Sequence, residues 1–520
     1  MSAALKETRV EGPFLESCEQ FRALLGLVDS AEGYSMTISD LERELELAAR
    51  ELIRTMLQEH LDRRAPGEAE GPVSGADGIE RDRMQYHERN LETVFGTVRV
   101  GRTGYGADGA ESLHPLDAAL NLPGELYSLG VRRRVAEEAA KTSFDEVAET
   151  MVRHTGANVP KRQLRELVER AAQDFDLFYQ TRRESAEAEE AKGSIVVMSV
   201  DGKGVVMRRE DLREATRKAA LSKSNKLSKR LSKGEKRNAK RMAAVAVTYT
   251  IEPYVRTPEE VIRSMAPIHQ SDPRRRPVPE FKRVWASLEK SPERVIEEAF
   301  QEARFRDPDR KKSWVALVDG NKPQIHILSK KACEHQVDLS IVLDFIHVSE
   351  YVWSAGLAFH AEGSADLQAW VAERLLQILR GKSSGVAAGM RRSATRRELG
   401  AGKRETVDRC ANYLLEYRPY LRYDVYLGKG FPIATGVVEG ACRHLVKDRM
   451  DLTGARWSLR GAEAVLRLRA LRSCGDFDEY WKFHESLARQ RNHALKYADS
   501  LPPSVKVPSL STKTTFRIIR

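Results

Sequence analysis

Cysteine is scarce in this chain. Its five residues, Cys18, Cys333, Cys410, Cys442 and Cys474, are odd in number, lie far apart and include no Cys-x-x-Cys pair. That distribution argues against a disulfide framework and a zinc ribbon, and it suits a reducing compartment. Long apolar runs are missing as well. The longest are of strand length, far short of the ~20 residues that span a bilayer, so no membrane partner is expected. The opening stretch, MSAALKETRVEGPF, has no apolar core of signal-peptide length. Together these absences point to a soluble, cytoplasmic protein.

Charge, by contrast, is plentiful. Charged residues make up 31% of the chain, and 86 Lys and Arg against 76 Asp and Glu leave a net +10. The isoelectric point is near 9.2. An excess of that sign suits a polyanionic partner when it is clustered. Here it is: Arg217 to Arg241 holds eleven Lys or Arg and a single acid, Glu235. A hydrophobic content of 41% is enough for packed interiors, and 520 residues exceed one compact core.

Local patterns divide the chain. Residues 37–62 place leucines near helical spacing and predict an amphipathic helix. Residues 64–80, rich in Gly, Pro, Ala and Glu, read as a linker, and 91–105 as two short strands. These belong to an α+β module over 1–110. Residues 111–193 are expected to be helical. Within them 143–172 has a helix-turn-helix layout, with Gly156 at the turn and Pro160 in the first turn of the second helix. Lys161, Arg162 and Arg165 decorate that second helix as candidate DNA contacts. Any two helices joined at a glycine share the layout, so both readings stand.

From 194 the pattern turns to strands. GSIVVMSVDGKGVVMRRE reads as a β-hairpin, followed by strands at 242–251 and 314–320 and a strand leading into a helix over 339–356. SPERVIEEAFQEARFR (291–306) is a helix with Ser291 as its N-cap. Long helices are expected at 362–380 and 403–418, joined by a Gly/Ser/Arg-rich stretch, and again from 435. The order fits an α/β fold with a mixed sheet flanked by helices over 194–350. A helical insertion over 351–430, further core helices over 431–490 and a tail over 491–520 complete it. The segment 208–241 must leave the sheet as a basic arm. Lys218, Lys223, Lys226, Lys229, Arg230, Lys233, Lys236, Arg237, Lys240 and Arg241 are its candidate contacts to DNA phosphates. The alternative is a solvated loop.

Acids at strand ends carry the chemistry. Asp201 precedes Gly-Lys-Gly, and Asp319 stands in Val-Asp-Gly-Asn. Each alone reads as Asp-Gly turn chemistry. On adjacent strand ends, however, two carboxylates repel unless cations lie between them. Mg2+ takes oxygen ligands while leaving positions for water and phosphate, and two such ions can clamp an in-line phosphoryl displacement. Glu439, in IATGVVEGACRHLVKDRM, is the candidate third acid. On a regular helix it shares a face with Arg443, while His444 and Lys447 share another; these, with Arg449, would surround it with phosphate-seeking donors. The alternative is a solvent-facing acid paired with Arg443. Asp344 and His347, three residues apart, are too few ligands for a zinc site, and bracing by hydrogen bonds is the preferred reading. Cys333 and His335 read as structural.

Several stretches then share a resemblance. SVDGKGVVMRREDLREATRKAA, WVALVDGN, IVLDFIHVSEYVW and the long GFPIATGVVEGACRHLVKDRMDLTGARWSLRGAEAVLRLRALRSCGDFDEYW resemble the ISKra-four group of bacterial insertion-sequence transposases, over roughly 195 to 485. The Asp-x-x-His after the second acid is similar to that of Mutator-like and related DDE transposases. FGTVRVGRTGY is similar to the family's amino-terminal part. The resemblance implies an RNase H-like core whose triad, Asp201, Asp319 and Glu439, holds two Mg2+ or Mn2+ ions, with Asp344 and His347 as the Asp-x-x-His pair. It implies double-stranded DNA as partner (terminal inverted repeats and target), strand cleavage followed by strand transfer, and a homodimer or larger assembly in the bacterial cytoplasm at the nucleoid. Two rivals remain at this point: an RNase H-like DNA nuclease or resolvase, and a catalytically inactive DNA-binding protein derived from a transposase.

Overall fold

Caps and turns set the first part of the chain. In the computed structural model, which describes residues 14–185, 193–221, 239–265, 276–452 and 454–506, the side chain of Thr37 accepts the Asp40 N–H and opens the Ile38–Arg63 helix. The chain divides into two compact units, Met1–Asp174 with Asp478–Arg520, and Phe175–Phe477. In the first, helix Leu15–Val28 packs on Ile38–Arg63. Strand β1 (Val73–Ser74) pairs with β2 (Glu80–Arg81), so 64–80 is not a free linker; Ala69 and Val73 are buried with Tyr105 and Leu113. Strands β3 (Arg83–Thr93) and β4 (Gly96–Gly106) form a hairpin of eleven residues a side, longer than the two short strands expected. The added residues of β3 are mostly exposed, so no apolar alternation marks them.

Helices Leu129–Ala139, Phe144–Thr155 and Lys161–Ala171 pack on one another. Ser143 and Glu146 close a capping box, and Gly156, at φ 70°, makes the left-handed turn that only glycine adopts cheaply. Lys161 pairs with Asp145 and Arg162 with Glu166, while Arg165 is half-buried. Helix Phe477–Asn492 returns to this unit: Asp174 accepts from His484 and Arg491, and the Tyr480 hydroxyl donates to Ala171 O.

The second unit is mixed α/β. Strands β5 (Ile195–Val206), β6 (Lys240–Ile251), β7 (Glu280–Ser287), β8 (Ser313–Val318) and β9 (Leu339–Leu343) form one sheet in the order β7-β6-β5-β8-β9. β5, β8 and β9 run parallel, and β6 is antiparallel to both its neighbours. Ile195–Val200 is buried without a break. Successive side chains point to opposite faces, so both faces of the sheet are covered here.

Two expectations change. The expected hairpin over Asp201-Gly-Lys-Gly is one twelve-residue strand, because an equally long β6 pairs with it from Ile195↔Ile251 to Val206↔Lys240. β7, which had no counterpart among the expected strands, begins with the exposed Glu-Phe-Lys, and its apolar residues do not alternate with polar ones. Helix Pro292–Arg306 lies on β5 and β6, Lys322–His335 beside β8 and β9, and Leu459–Cys474 on β7. After β9 come helices Phe345–Gly356, Ala365–Leu379, Ser383–Arg396, Ala401–Glu416 and Tyr423–Gly428. The Gly/Ser/Arg-rich joint is thus itself a helix, burying Val386, Ala387, Met390 and Ala394 at helical spacing. No helix among the described residues is long and apolar enough to cross a membrane.

Candidate active site

Parallel register gathers the acids. Paired residues of β5 and β8 end at Ser199↔Leu317, two residues before Asp201 and Asp319. Those of β8 and β9 end at Val318↔Leu343, one residue before Asp319 and Asp344, and the Asp344 N–H donates to Val318 O at 2.8 Å. Three carboxylates therefore follow closely on the last paired residues of three adjacent parallel strands. The chain turns from β5 to β6 on one side and later to β8 on the other, and the crevice at such a reversal is where open α/β sheets bind ligands. Asp201 lies within β5 rather than at its end, since β5 continues along β6.

Backbone and side-chain donors aim these acids. The Gly202 N–H donates to Asp201 Oδ1 at 2.6 Å, and the Asn321 N–H to Asp319 Oδ1 at 3.0 Å. Gly320 (φ 102°) makes the turn that releases Asn321 to cap the Lys322–His335 helix. Gln324 on that helix donates to Val200 O at 2.7 Å, tying β5 to the turn after β8.

Asp344 is fully buried and caps helix Phe345–Gly356. It accepts from the N–H groups of Ile346 and His347, from Thr435 N–H at 3.1 Å, and from His347 Nδ1 at 2.7 Å. A carboxylate only accepts, so Nδ1 carries the hydrogen and Nε2 is the ring's other nitrogen for a ligand. Burial opposes charge on His347, but its bond to Asp344, with Glu350 and Asp319 nearby, holds its pKa above the ordinary histidine value. The Thr435 hydroxyl then donates to Glu439 Oε1 at 2.9 Å. Asp344, His347 and Glu439 consequently offer ligand atoms within 4.8 Å of one another, the one such group of three among the described residues. Asp201 and Asp319 stand outside it. The Asp-x-x-His pair thus braces, as read from sequence, and also joins Glu439 in a possible ligand set.

The helix carrying Glu439 is not regular. Gly436–Ala441 is α-helical, Cys442–Lys447 is a π-turn and Asp448–Met450 is α-helical again. The extra residue of a π-turn shifts the phase, so the expected faces do not form. Arg443 is exposed and comes to 3.8 Å of Asp448, while Glu439 is partnered by Thr435. Cys442 instead turns inward and donates from Sγ to Asp201 Oδ2 at 3.2 Å. Burial pushes the Cys442 thiol pKa upward and the Asp201 charge adds to it, so it stays a donor. Arg469 donates to His444 O and Leu445 O, carbonyls of the π-turn. Lys447 is exposed, whereas burial lowers the pKa of His444, and Arg449 is buried with its guanidinium 4.8 Å from the Trp457 ring. Of the four expected donors, Arg443 and Lys447 remain available to phosphate.

Lys223, Lys226, Lys229, Arg230, Lys233, Lys236 and Arg237 lie outside the described residues. Lys218 is exposed on helix Glu214–Leu221 and pairs with Glu214 at 2.7 Å. Lys240 and Arg241 open β6. Arg241 is half-buried and donates to Leu288 O and Asp211 O, so it braces the root of the basic segment instead of facing DNA. Sequence reasoning missed Thr435 and Cys442. Thr435 stands four residues before Glu439, a spacing that could have been noticed; Cys442 meets Asp201 only through the π-turn.

No protein-family model and no curated protein matches this chain.

Proposed function

We propose that the protein is a DNA transposase of the ISKra-four group, with an RNase H-like core that cuts and joins strands at the ends of an insertion sequence. The observation that carries this reading is that Asp201, Asp319 and Asp344 follow closely on the last paired residues of three adjacent parallel strands, with Glu439 linked to Asp344 through Thr435. A mixed sheet flanked by helices, with acids across its parallel strands, supports the RNase H-like assignment.

In kind the oxygen donors suit Mg2+ or Mn2+, while the group that lies within 4.8 Å among the described residues is Asp344, His347 and Glu439. Among the described residues Asp319 and Glu439 each accept a hydrogen bond on one oxygen, and Asp201 Oδ2 accepts from a thiol, a weak donor. The remaining carboxylate oxygens are the hard ligands these ions take. Asp201, Asp319 and Glu439 would hold two ions, which when bound supply Lewis-acid activation and charge neutralisation. Asp344 fixes His347 and Thr435, and Thr435 fixes Glu439. Arg443 and Lys447, exposed on the same helix, suit contacts to the phosphates on either side of the reacting one. The basic segment between β5 and β6 suits the DNA backbone, and two paired ends call for a homodimer or larger assembly on double-stranded DNA. The setting is the bacterial cytoplasm at the nucleoid.

The test is a strand-cleavage and strand-transfer assay on the element's own ends with Mg2+ or Mn2+. Wild type should nick and join, and Asp201→Asn, Asp319→Asn and Glu439→Gln should each lose both steps by about 100- to 1,000-fold, the scale of removing a group that stabilises transition-state charge. Cleavage without joining would mark a nuclease. DNA binding without chemistry, unchanged by the substitutions, would sink the reading.

A further inference from the structure

Helix Ile38–Arg63 is long, and little of it is buried. Of its 26 residues only Thr55 is buried, and of the 14 in helix Leu15–Val28 only Ser17. The two helices run antiparallel: Glu59 accepts from the Ser17 N–H at 3.3 Å, and Gln20 Nε2 donates to Thr55 Oγ1 at 3.1 Å. Leu57 and Leu61 hold one side of Ile38–Arg63 to the core of the β3–β4 hairpin. Another side carries an apolar seam. Ile38, Leu45, Ala49, Leu52 and Met56 follow one another at steps of seven, four, three and four residues, and Ile53 adjoins them. Ile38, Ile53 and Met56 are 72, 40 and 46% exposed, and Leu45, Ala49 and Leu52 are partly so. By helical geometry Phe21, Leu25 and Val28, all exposed, fall on the same side of the helix pair. Most helical stability comes from packing such a face, and an apolar patch of this extent marks an interaction site.

We infer that two copies of the chain meet on this face, with their Ile38–Arg63 helices antiparallel. The seam is complementary to itself. A two-fold axis crossing the helix between Arg50 and Glu51 sets Ile38 opposite Arg63 of the second copy, Leu45 opposite Met56, and the small Ala49 opposite Leu52. The same axis brings Glu42 against His60, twice by symmetry, with Arg63 one turn further on. Glu42 and His60 are both exposed, and neither stands in an ion pair among the described residues. Parallel pairing would instead set Glu42 against Glu42, and Ala49 against Ala49 across a gap. Between Ile38 and Leu47 four acids stand against Arg43 alone, so parallel helices would also repel at that end. A surface that matches its own reversed copy selects a second copy as its occupant.

The area suffices. Helices of these lengths run about 39 and 21 Å and are ~10 Å wide, which gives on the order of 600 Å² per copy and reaches the ~1,200 Å² total at which specific interfaces begin. The transposase reading calls for two copies, and the inference rests on it for the use of such a dimer; the surface and the register come from the helices themselves.

The test is sedimentation equilibrium of the full-length protein without DNA or metal. Wild type should form a dimer in reversible equilibrium with monomer. Met56→Glu should weaken it at least about tenfold, the scale of one side chain at an interface centre. Met56 is exposed in the single chain, so the change leaves the fold intact. Glu42→Arg and His60→Glu should each weaken the dimer about fivefold, and the two together should restore it. Glu42 and His60 lie about 27 Å apart along one helix, so they compensate only across copies. A wild type that stays monomeric up to its solubility limit overturns the inference and leaves the face to another segment or another protein. So does a dimer that Met56→Glu does not weaken, or a double variant no tighter than the single ones. A dimer that never cleaves DNA would uphold this surface while the transposase reading fails; cleavage and transfer by a protein that stays monomeric, on DNA as well, would do the reverse.

Discussion

Thr435 connects two carboxylates with two different atoms, its N–H to Asp344 and its hydroxyl to Glu439. Thr435→Val keeps the shape and the N–H but removes the hydroxyl. Partners that orient metal ligands are worth about 10–100-fold in metal affinity. We expect Thr435→Val to need that much more Mg2+ for half-maximal cleavage, with Thr435→Ser near wild type; a metal titration of activity reads this directly, and an unchanged midpoint would remove Thr435 from the site. Asp344 makes a second case. Asn there would turn an amide NH2 toward the Thr435 N–H or the His347 ring, donor against donor in a fully buried position. Asp344→Asn should cost about 1–3 kcal/mol in urea unfolding as well as activity. At this scale the sequence was readable where chemistry is local: Asp-Gly beside apolar runs exposed Asp201 and Asp319, and the i, i+3 spacing exposed Asp344 and His347. The thiol of Cys442 on Asp201 was not, because it depends on a π-turn held by Arg469 from another helix.

Among the elements, helix Pro292–Arg306 is fastened to the sheet by charge as well as by its apolar side. Glu302 is buried and accepts from Arg283 on β7, from Arg183, and from Arg306 one turn on. Burial alone would raise its pKa; the three guanidiniums overcome this and bring it down to about 2 from 4.5. A carboxylate depressed in the folded state stabilises fully above its unfolded value and loses that contribution as pH falls through its folded one. The window is therefore from about 4.5 down to about 2, with an upper bound near ~3 kcal/mol. Glu302→Gln leaves Arg283 buried without its charge partner, and should cost about 3–5 kcal/mol at neutral pH. It should also flatten the acid dependence across that window, so urea midpoints at pH 7 and pH 3 would differ less than in wild type. An undiminished difference would assign the acid dependence elsewhere. Element types were legible where apolar periodicity is strong, as in β6, β8 and β9. They failed where pairing outweighs local signals: two glycines disguised the middle of β5, and a charged half hid β7.

The whole molecule is not the string of consecutive domains that its composition suggests. Residues 111–193 read as one helical region and 431–490 as part of the core, whereas the folded chain closes its first unit with residues from 478 onward. Periodicity reports which face of a helix is buried, and not against which distant segment. That returning segment is heavily used: Tyr480, Trp481 and His484 are buried, and His484 and Arg491 both bind Asp174. Losing a buried Trp or Phe commonly costs about 3–5 kcal/mol, so losing several large side chains at once approaches the whole ~5–15 kcal/mol of a domain. A chain ending at Phe477 should therefore lose the first unit's folding and keep the second's. Hydrogen exchange would see this as fast exchange across Leu129–Ala171 beside continued protection in β5 and β6. If the first unit carries end recognition through its three packed helices, the same chain should still bind DNA, with affinity falling steeply as salt rises, but no longer prefer the element's ends. Protection of Leu129–Ala171 in the shortened chain would mean that the first unit folds without its returning helix.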